Sequence, residues 1–266
     1  MPFLNLNPRP TKPSLTSPLP SISIMVSSYQ PLLFSGANQG LGYEAARALL
    51  QTPGPDGLSR YHVLLGCRDA AKGRATAAEL EGLAPGSVTP LLLDVTSEAT
   101  VAAAAAEVRA RFGRLDVLVN NAGVISQAAS AGERLEAAWD VNVRGVVRVT
   151  EAFLPLLLPP SGSGARREGR LVFVGSSMGS LTGSADPDSR YYKSVTGASP
   201  MEYRVSKAAL NMVMLEYWKK YGIHEGGPLR VFTADPGPNA TNFMGDAEHA
   251  RRMGLPGPEV GAQQLV

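Results

Sequence analysis

Six short apolar runs, separated by longer stretches rich in alanine and other helix-forming residues, constrain the fold of this chain more than any other feature. Strands that alternate with helices form βαβ units, whose strands lie parallel in one sheet. The runs are apolar throughout, which indicates a sheet covered by helices on both faces. We therefore predict a single α/β domain with a doubly wound parallel sheet over residues 29–266, and strands at residues 32–35, 62–66, 88–93, 115–119, 170–175 and 229–234.

The two ends of the chain differ from this pattern. Residues 1–28 are rich in proline and serine and lack the charged start and apolar centre of a secretory signal, so we predict a disordered tail there. Met1 and Met25 both remain open as the native start. Residues 258–265 begin a further helix just before the chain stops at Val266, so we expect the fold to be shortened at its C-terminus.

The composition excludes several classes of function. The 25 basic and 23 acidic residues are interspersed and leave a net charge of +2, which gives no basic patch for nucleic acid. The single cysteine, Cys67, forms no internal disulfide or metal-ligand set, which predicts a metal-free site and a reducing, cytoplasmic location. No apolar run approaches the roughly 20 residues that a membrane-spanning helix needs. We expect a small molecule as the partner, and neither nucleic acid nor a membrane.

A glycine-rich turn directly follows the first predicted strand and precedes a helical stretch. Glycines let the backbone approach a pyrophosphate, whose charge then lies on the free N–H groups and the positive end of the helix dipole. In this context the turn predicts a Rossmann-type dinucleotide site, whereas the same glycines elsewhere would indicate only a structural turn. We assign cofactor contacts to Gly36, Asn38, Gln39, Gly40, Leu41 and Gly42.

Residues that follow the next three strands complete the predicted cofactor site. Arg68 follows the second strand, where an arginine can pair with the extra phosphate of NADP, whereas an acidic residue would bind the ribose hydroxyls of NAD. Arg68 favours NADP(H), although the adjacent Asp69 leaves NAD open. After the third strand, Asp94 and Val95 are candidates for holding the adenine ring, with helix capping as the alternative role of Asp94. A further group follows the fourth strand: Asn121, Ala122 and Gly123.

Six motifs occur in the order in which the short-chain dehydrogenase/reductase family has them. They are S-G-A-N-Q-G-L-G at residues 35–42, N-N-A-G at 120–123, V-N-V at 141–143, a serine after the fifth strand, Y-R-V-S-K at 203–207, and D-P-G-P-N-A-T at 235–241. The chain resembles this family from about residue 32 to residue 241. The resemblance implies hydride transfer between NADP(H) and a carbonyl compound or secondary alcohol, and a homo-oligomer. It also implies cofactor contacts at Tyr203, Lys207, Pro236, Gly237 and Thr241.

The resemblance also implies a catalytic set. Tyr203 would donate or accept the proton, and Lys207 would favour its phenolate. Ser177 would hold the substrate oxygen, with Ser176 as the alternative, and Asn142 would support a proton-relay water. The chemistry agrees independently, because a tyrosine with a pKa of about 10 is a poor acid–base catalyst at neutral pH and a cation four residues along a helix favours the charged form. Asn142 has an alternative role, a bond to a neighbouring carbonyl.

The long connection between Ser177 and Tyr203 departs from the family pattern. Long loops are usually functional or disordered, and we expect this one to line the substrate side of the pocket. Tyr191 and Tyr192 stand nearer to Ser177, but neither has a cation four residues further along the chain. Tyr203 therefore remains the preferred proton donor.

Two other functions remain open at this stage. The G-S-S-M-G segment matches the nucleophile elbow of serine hydrolases, with Ser177 as nucleophile and Asp235 and His249 in a suitable order. An elbow leads straight into a helix, however, whereas Gly183 and Pro187 follow here. The second alternative is a non-catalytic NADP-binding protein, and turnover with NADPH separates it from an enzyme.

Overall fold

Six parallel strands form one sheet in the order β3-β2-β1-β4-β5-β6 in the computed structural model, which describes residues 29–53, 60–84, 87–159, 168–193, 201–222 and 227–266. The sheet consists of β1 (Gln30–Ser35), β2 (Tyr61–Cys67), β3 (Val88–Leu92), β4 (Val117–Asn120), β5 (Gly169–Val174) and β6 (Leu229–Ala234). This is the doubly wound order, in which ligands bind at the carboxyl ends of the strands near β1 and β4. The predicted fold class is confirmed. The predicted tail at residues 1–28 lies outside the described residues.

Helices cover both faces of the sheet because successive strand residues point to opposite sides. In β1, Leu33 packs in one core cluster with Val149, whereas Leu32 and Phe34 pack in the other with Leu49. The helices are α1 (Gly40–Leu50), α2 (Ala70–Glu81), α3 (Glu98–Phe112), α4 (Ala131–Trp139), α5 (Val146–Leu157), α6 (Leu181–Ala185), α7 (Arg190–Lys193), α8 (Met201–Tyr221), α9 (Ala247–Arg252) and α10 (Pro258–Ala262). Over the described ranges, none of them is both long enough and apolar enough to cross a bilayer.

Pro31 lies inside the central strand β1, whose first residue is Gln30. A proline has no N–H to donate to a neighbouring strand, but its nitrogen here faces a position where no neighbouring strand is paired. The carbonyl of Pro31 accepts from the Asp116 backbone N–H at 2.9 Å, so its nitrogen also faces the β4 side, where pairing begins only at Leu32 with Val117. No ladder hydrogen bond is lost at that position.

The helical segment between β4 and β5 contains an irregular turn. Ser130 begins α4 with a capping box that includes Glu133, and a π-helical turn, Asp140–Gly145, joins α4 to α5. Such turns insert an extra residue into a helix and often occur at functional sites. Here the turn contains Asn142, one of the predicted site residues.

Asn239 joins the last helix to the loop that follows β6. Its Oδ1 accepts from the backbone N–H of Gly261 in α10 at 3.1 Å, and its Nδ2 donates to the carbonyls of Pro236 and Gly237, both at 3.0 Å. Asn239 is only 5% exposed. Because α10 also packs against α1, the end of the described chain supports both the loop after β6 and the glycine turn.

The half-buried histidine of β2 predicts a pH dependence of stability. His62 lies tilted against Phe112, with 4.8 Å between ring centroids, and partial burial, helped by the nearby charge of Arg111, lowers its pKa from 6.5 to about 4. The unfolded chain therefore binds a proton between these values that the folded chain does not, and stability falls as the pH drops through this window. We expect urea unfolding at about pH 7 and about pH 4.5 to show a smaller loss of unfolding free energy in His62→Gln than in the unmodified chain. Equal losses would contradict this assignment.

Candidate active site

The glycine turn between β1 and α1 is held against the end of β4. Asn121 donates from Nδ2 to the carbonyls of Ser35 and Gly36, at 2.9 and 3.0 Å. A Cβ on Gly36 would lie 3.0 Å from Cα of Ala122, and a Cβ on Gly42 would lie 2.7 Å from Nδ2 of Asn121. The glycines thus permit a close approach between two segments that were both predicted to contact the cofactor.

The N-terminus of α1 has the features of an anion site. Its N-cap residue, Gln39, makes no side-chain capping hydrogen bond, and Gly40 adopts a φ of +60°. The N–H groups in the first turn of a helix have no partners within the helix and lie at the positive end of its dipole. Thr241 from the loop after β6 borders this point, with its Cγ2 3.5 Å from the position of a Cβ on Gly40. A pyrophosphate would suit this arrangement.

Arg68 and Asp69 have different roles just beyond β2. Arg68 is exposed, and its guanidinium makes no hydrogen bond or ion pair within the part of the chain that the structure describes. Asp69 caps α2, because its carboxylate accepts from the backbone N–H groups of Ala71 and Lys72 at 2.9 and 3.0 Å. The bond from Lys72 is the largest cause of the lowered pKa of Asp69. Asp69, the residue that could have bound the ribose hydroxyls of NAD, instead caps α2, whereas the guanidinium of the exposed Arg68 can donate to a ligand.

Asp94 and Val95 form the turn before α3. The Oδ1 of Asp94 accepts from the backbone N–H and the hydroxyl of Thr96, at 2.9 and 2.7 Å, while Ser97 is the residue that caps the helix. Val95 is buried, and its carbonyl accepts from Nη1 of Arg148 at 2.5 Å. Asp94 therefore orders the turn without being the N-cap itself.

Tyr203 and Lys207 lie one turn apart on α8, at the carboxyl end of β5. The Nζ of Lys207 is 5.7 Å from the centroid of the Tyr203 ring and donates to the carbonyl of Val174 at 2.7 Å. A Cβ on Gly179 would lie 2.5 Å from the carbonyl carbon of Lys207. This contact presses the 3₁₀ turn Ser177–Gly179 directly onto the backbone of α8.

Burial dominates the protonation of this pair. It raises the pKa of Tyr203 to about 12, against a hydrogen bond with the Ser176 side chain that acts in the opposite direction, and Asp235 raises it further. Burial also lowers the pKa of Lys207 to about 8, against the charge of Asp235. A pKa of about 12 favours the protonated form of Tyr203 at neutral pH, which is the state a proton donor needs. That Lys207 favours the phenolate stays a prediction.

The two adjacent serines face different partners. The Ser176 side chain acts on Tyr203, whose pKa it lowers through a hydrogen bond, and its Oγ accepts from the backbone N–H of Met178 at 3.2 Å. The backbone N–H of Ser177 donates to Oδ2 of Asp235 at 2.8 Å. The hydroxyl of Ser177 contacts the same carboxylate oxygen and lies 2.6 Å from the hydroxyl of Tyr191. The structure therefore brings Ser176 to Tyr203, and the predicted Ser177 is engaged elsewhere. Ser176 is extended, with φ −164° and ψ 135°, whereas Ser177 begins the 3₁₀ turn, so the two side chains leave the backbone in different directions.

Asn142 fastens α8 to the loop after β4. It is completely buried; its Oδ1 accepts from the Val124 N–H at 2.8 Å, and its Nδ2 donates to the Val124 carbonyl at 3.0 Å and to Oγ of Ser206 at 2.9 Å. Ser206 in turn donates to the carbonyl of Tyr203 at 2.8 Å. Asn142 thus does bond to a carbonyl, as its alternative role predicted, but the carbonyl is that of Val124 in the loop after β4 and not one of its own helix. The side chain of Asn142 acts on Tyr203 by positioning its helix.

The loop after β6 places a further aromatic residue at the site. Gly237 adopts a φ of +68° and its N–H donates to Oδ1 of Asp235 at 3.1 Å. Phe243 lies edge-on to Tyr203, with 5.6 Å between ring centroids, and 3.6 Å from the position of a Cβ on Gly123. Sequence reasoning missed Phe243, because one phenylalanine after a loop carries no distinguishing signal.

The geometry does not support a serine hydrolase. Ser177 and Asp235 do meet, but they bond directly, without the histidine that must lie between nucleophile and carboxylate. His249 is exposed on α9, where its backbone N–H donates to Asp246 at 3.1 Å. Among the residues the structure describes, no group of three or more His, Cys, Asp or Glu side chains could hold a metal ion.

Comparison with known proteins gives a consistent result. A family model described as short chain dehydrogenase matches residues 32–252. The short-chain dehydrogenase/reductase eupG of a Phoma species is 37% identical over 236 residues, which cover 83% of this chain and 81% of that protein. The short-chain dehydrogenase/reductase tropE of Talaromyces stipitatus is 34% identical over 233 residues, covering 83% and 82%.

Two solved structures share the fold at 24% sequence identity. Salutaridine reductase from Papaver somniferum aligns with a TM-score of 0.66 over 88% of this chain and 93% of that one. A gluconate 5-dehydrogenase from Burkholderia cenocepacia, in complex with NADP and tartrate, aligns with a TM-score of 0.62 over 80% and 73%.

Proposed function

Because the chain belongs to the short-chain dehydrogenase/reductase family, we propose that it transfers a hydride between NADP(H) and a carbonyl compound or secondary alcohol, with Tyr203 as the acid and base. The observation that carries the proposal is the geometry of the half-buried Tyr203 and the buried Lys207, one turn apart on α8 with the Nζ of Lys207 5.7 Å from the Tyr203 ring centroid. The group lies at the carboxyl end of the sheet, the edge that also carries the glycine turn.

The residues around the glycine turn suit a dinucleotide. Gly36 and Gly42 leave no room for side chains, and the uncapped N-terminus of α1 favours a pyrophosphate. Arg68 has its donors available for a ribose phosphate, which supports NADP(H) over NAD(H). The NADP complex of the Burkholderia relative is consistent with this choice. When bound, the reduced cofactor would supply the hydride.

The side chains of this chain would handle the proton and the substrate oxygen. In reduction, the Tyr203 hydroxyl gives its proton to the carbonyl oxygen, while the Ser176 hydroxyl donates a hydrogen bond to the same atom. Lys207, whose pKa burial lowers to about 8, would change its charge close to neutral pH. We assign Ser176 this role in place of Ser177, because Ser176 is the serine that reaches Tyr203.

The proposal also includes self-association and a location. The family resemblance favours a homo-oligomer, and the buried, single Cys67 accords with a reducing, cytoplasmic setting.

The direct test is the oxidation of NADPH, followed by absorbance, with a panel of small ketones, quinones and aldehydes, repeated with NADH. Turnover that is faster with NADPH supports the proposal. NADPH binding without turnover of any substrate favours a non-catalytic NADP-binding protein. A chain that binds neither cofactor overturns the proposal.

We expect Arg68→Ala to weaken NADPH binding about 10- to 100-fold while NADH binding changes by less than about twofold, because only NADPH carries the extra phosphate. Arg109→Ala is the control, since Arg109 is an exposed arginine of α3 and its loss changes the net charge equally. Fluorescence titration of both reduced cofactors gives the two dissociation constants. Equal weakening of NADPH and NADH by Arg68→Ala would refute the phosphate contact.

A further inference from the structure

A directed chain of hydrogen bonds passes through Ser177 and takes no part in the proton transfer proposed above. Both the N–H and the hydroxyl of Ser177 are directed at Oδ2 of Asp235. With its proton used in this way, the Ser177 oxygen accepts from the hydroxyl of Tyr191 at 2.6 Å. The Tyr191 oxygen accepts from Nη2 of Arg190, also at 2.6 Å. The chain thus runs from a guanidinium to a carboxylate through two hydroxyls.

This chain borders the proposed reaction centre. Ser177 directly follows Ser176, and the charge of Asp235 acts on the pKa values of both Tyr203 and Lys207. Tyr191 lies in α7, within the long connection that we expected to line the substrate side of the pocket.

The position of α7 is fixed by a bond from α8. The Nη2 of Arg204 donates to the carbonyl of Tyr191 at 3.0 Å and to Oγ of Ser184 at 2.7 Å. Arg204 directly follows Tyr203, so the helix that carries the proposed proton donor also holds Tyr191 in place. The two tyrosines are therefore held in a fixed relation by one helix.

The charges of the cluster indicate what it can bind. Asp235 and Arg190 act on each other's pKa, and together they leave the cluster neutral. With one charge of each sign, the cluster as a whole favours neither an anionic nor a cationic group. A neutral hydroxyl can donate to the remaining lone pairs of the Asp235 carboxylate and the Ser177 oxygen, since the protons of Ser177 and Tyr191 are already used within the cluster.

We propose that Ser177, Tyr191 and Asp235 form a specificity subsite that binds a hydroxyl group of the substrate beside the carbonyl held by Tyr203 and Ser176. The substrate class is then a hydroxylated carbonyl compound, for which a ketone with a hydroxyl close to its carbonyl group serves as the probe. The inference rests on the proposed function, because it assumes that the reacting carbonyl lies at Tyr203. A hydroxyl donates to these oxygens, whereas a methoxy group or a hydrogen atom at the same position cannot, so the subsite favours the hydroxylated compound.

The test compares acetophenones that carry hydroxyl, methoxy or hydrogen at the ortho position, with NADPH as the reductant. We expect kcat/KM for the hydroxyl compound to exceed that for the methoxy compound at least about tenfold. Ser177→Ala and Tyr191→Phe should each reduce this preference to about twofold or less. Tyr192→Phe is the matched control, because Tyr192 lies on the same helix and is 47% exposed, and it should keep the preference. Equal rates for the three ketones, or a preference that survives both substitutions, would overturn the subsite.

A thermal-shift measurement with NADP⁺ and the same ketones separates this inference from the proposed function. If no ketone is reduced but the hydroxyl compound stabilises the chain more than the methoxy compound does, and Ser177→Ala removes the difference, the subsite stands and the oxidoreductase proposal fails. If ketones are reduced without any preference, the oxidoreductase proposal stands and the subsite fails. If there is neither reduction nor preferential stabilisation, both fail.

Discussion

Replacing Tyr203 with phenylalanine should lower kcat/KM for ketone reduction by about a thousandfold or more, because the substitution removes the proton that the substrate oxygen requires. The phenylalanine ring preserves the edge-on contact with Phe243 and the packing of α8. The dissociation constant for NADPH should therefore change by no more than about fivefold. Steady-state rates of NADPH oxidation and a fluorescence titration measure the two quantities.

Tyr221→Phe is the matched control for Tyr203→Phe, since Tyr221 lies at the opposite end of the same helix, stacked on Tyr217. It should retain the activity of the unmodified chain. Should Tyr203→Phe keep most of the activity while Tyr191→Phe loses it, the acid would be Tyr191, whose pKa is lowered by its hydrogen bonds with Ser177 and Arg190.

Replacing Gly42 with alanine should weaken NADPH binding at least about tenfold and destabilise the chain by about 1–3 kcal/mol. The new methyl group would lie 2.7 Å from Nδ2 of Asn121 and 2.9 Å from the carbonyl oxygen of Gly36. Neither atom can move freely, because Asn121 bonds to the Gly36 carbonyl. The turn would have to separate from the end of β4, and the approach to a pyrophosphate would be lost.

Gly132→Ala provides the control for Gly42→Ala, because Gly132 also lies in the first turn of a helix and has nothing within 4 Å of the position of a Cβ. It should be neutral or stabilise the chain by up to about 1 kcal/mol, through helix propensity. Urea unfolding and NADPH titration of both variants distinguish the effects. If Gly42→Ala binds NADPH like the unmodified chain, the glycine turn serves packing alone.

The fold could be predicted because its signals are local and repeated. Apolar runs without alternation indicate buried parallel strands, and each of the six was placed within two residues of its observed ends. The π-helical turn at Asn142 could not be predicted, since it depends on the contact between that residue and Val124 in another segment. The predicted first strand began at residue 32, whereas β1 also contains Pro31. A proline can lie there only because β4 begins to pair at Leu32, and the sequence of β1 does not show where β4 begins.

The sequence showed which residues form the site more reliably than it showed which partners their side chains contact. The pattern of Tyr203 and Lys207 placed both on one face of a helix, but it did not reveal that Lys207 bonds to the carbonyl of Val174. The sequence offered Ser176 and Ser177 as a pair, and only the packing of the turn on α8 separates them.

The sequence analysis set Tyr191 aside because its partners in the structure could not be recognised from the spacing of residues. That criterion looked for a cation four residues away, whereas the cation over the Tyr191 ring belongs to the preceding residue, Arg190, 4.8 Å from the ring centroid. The second partner, Ser177, comes from the segment after β5, and tertiary packing alone brings it near.

The hydrogen bonds of Asn239 couple α10 to the loop after β6, which we expect to contact the cofactor. A ligand that orders the loop after β6 would also stabilise α10, through the bonds of Asn239 to Pro236, Gly237 and Gly261. Coupling of this kind is reciprocal, so a change in α10 alters the affinity of the loop by the same factor. We therefore expect substitutions in α10 to change ligand binding at this loop as well as the stability of the chain.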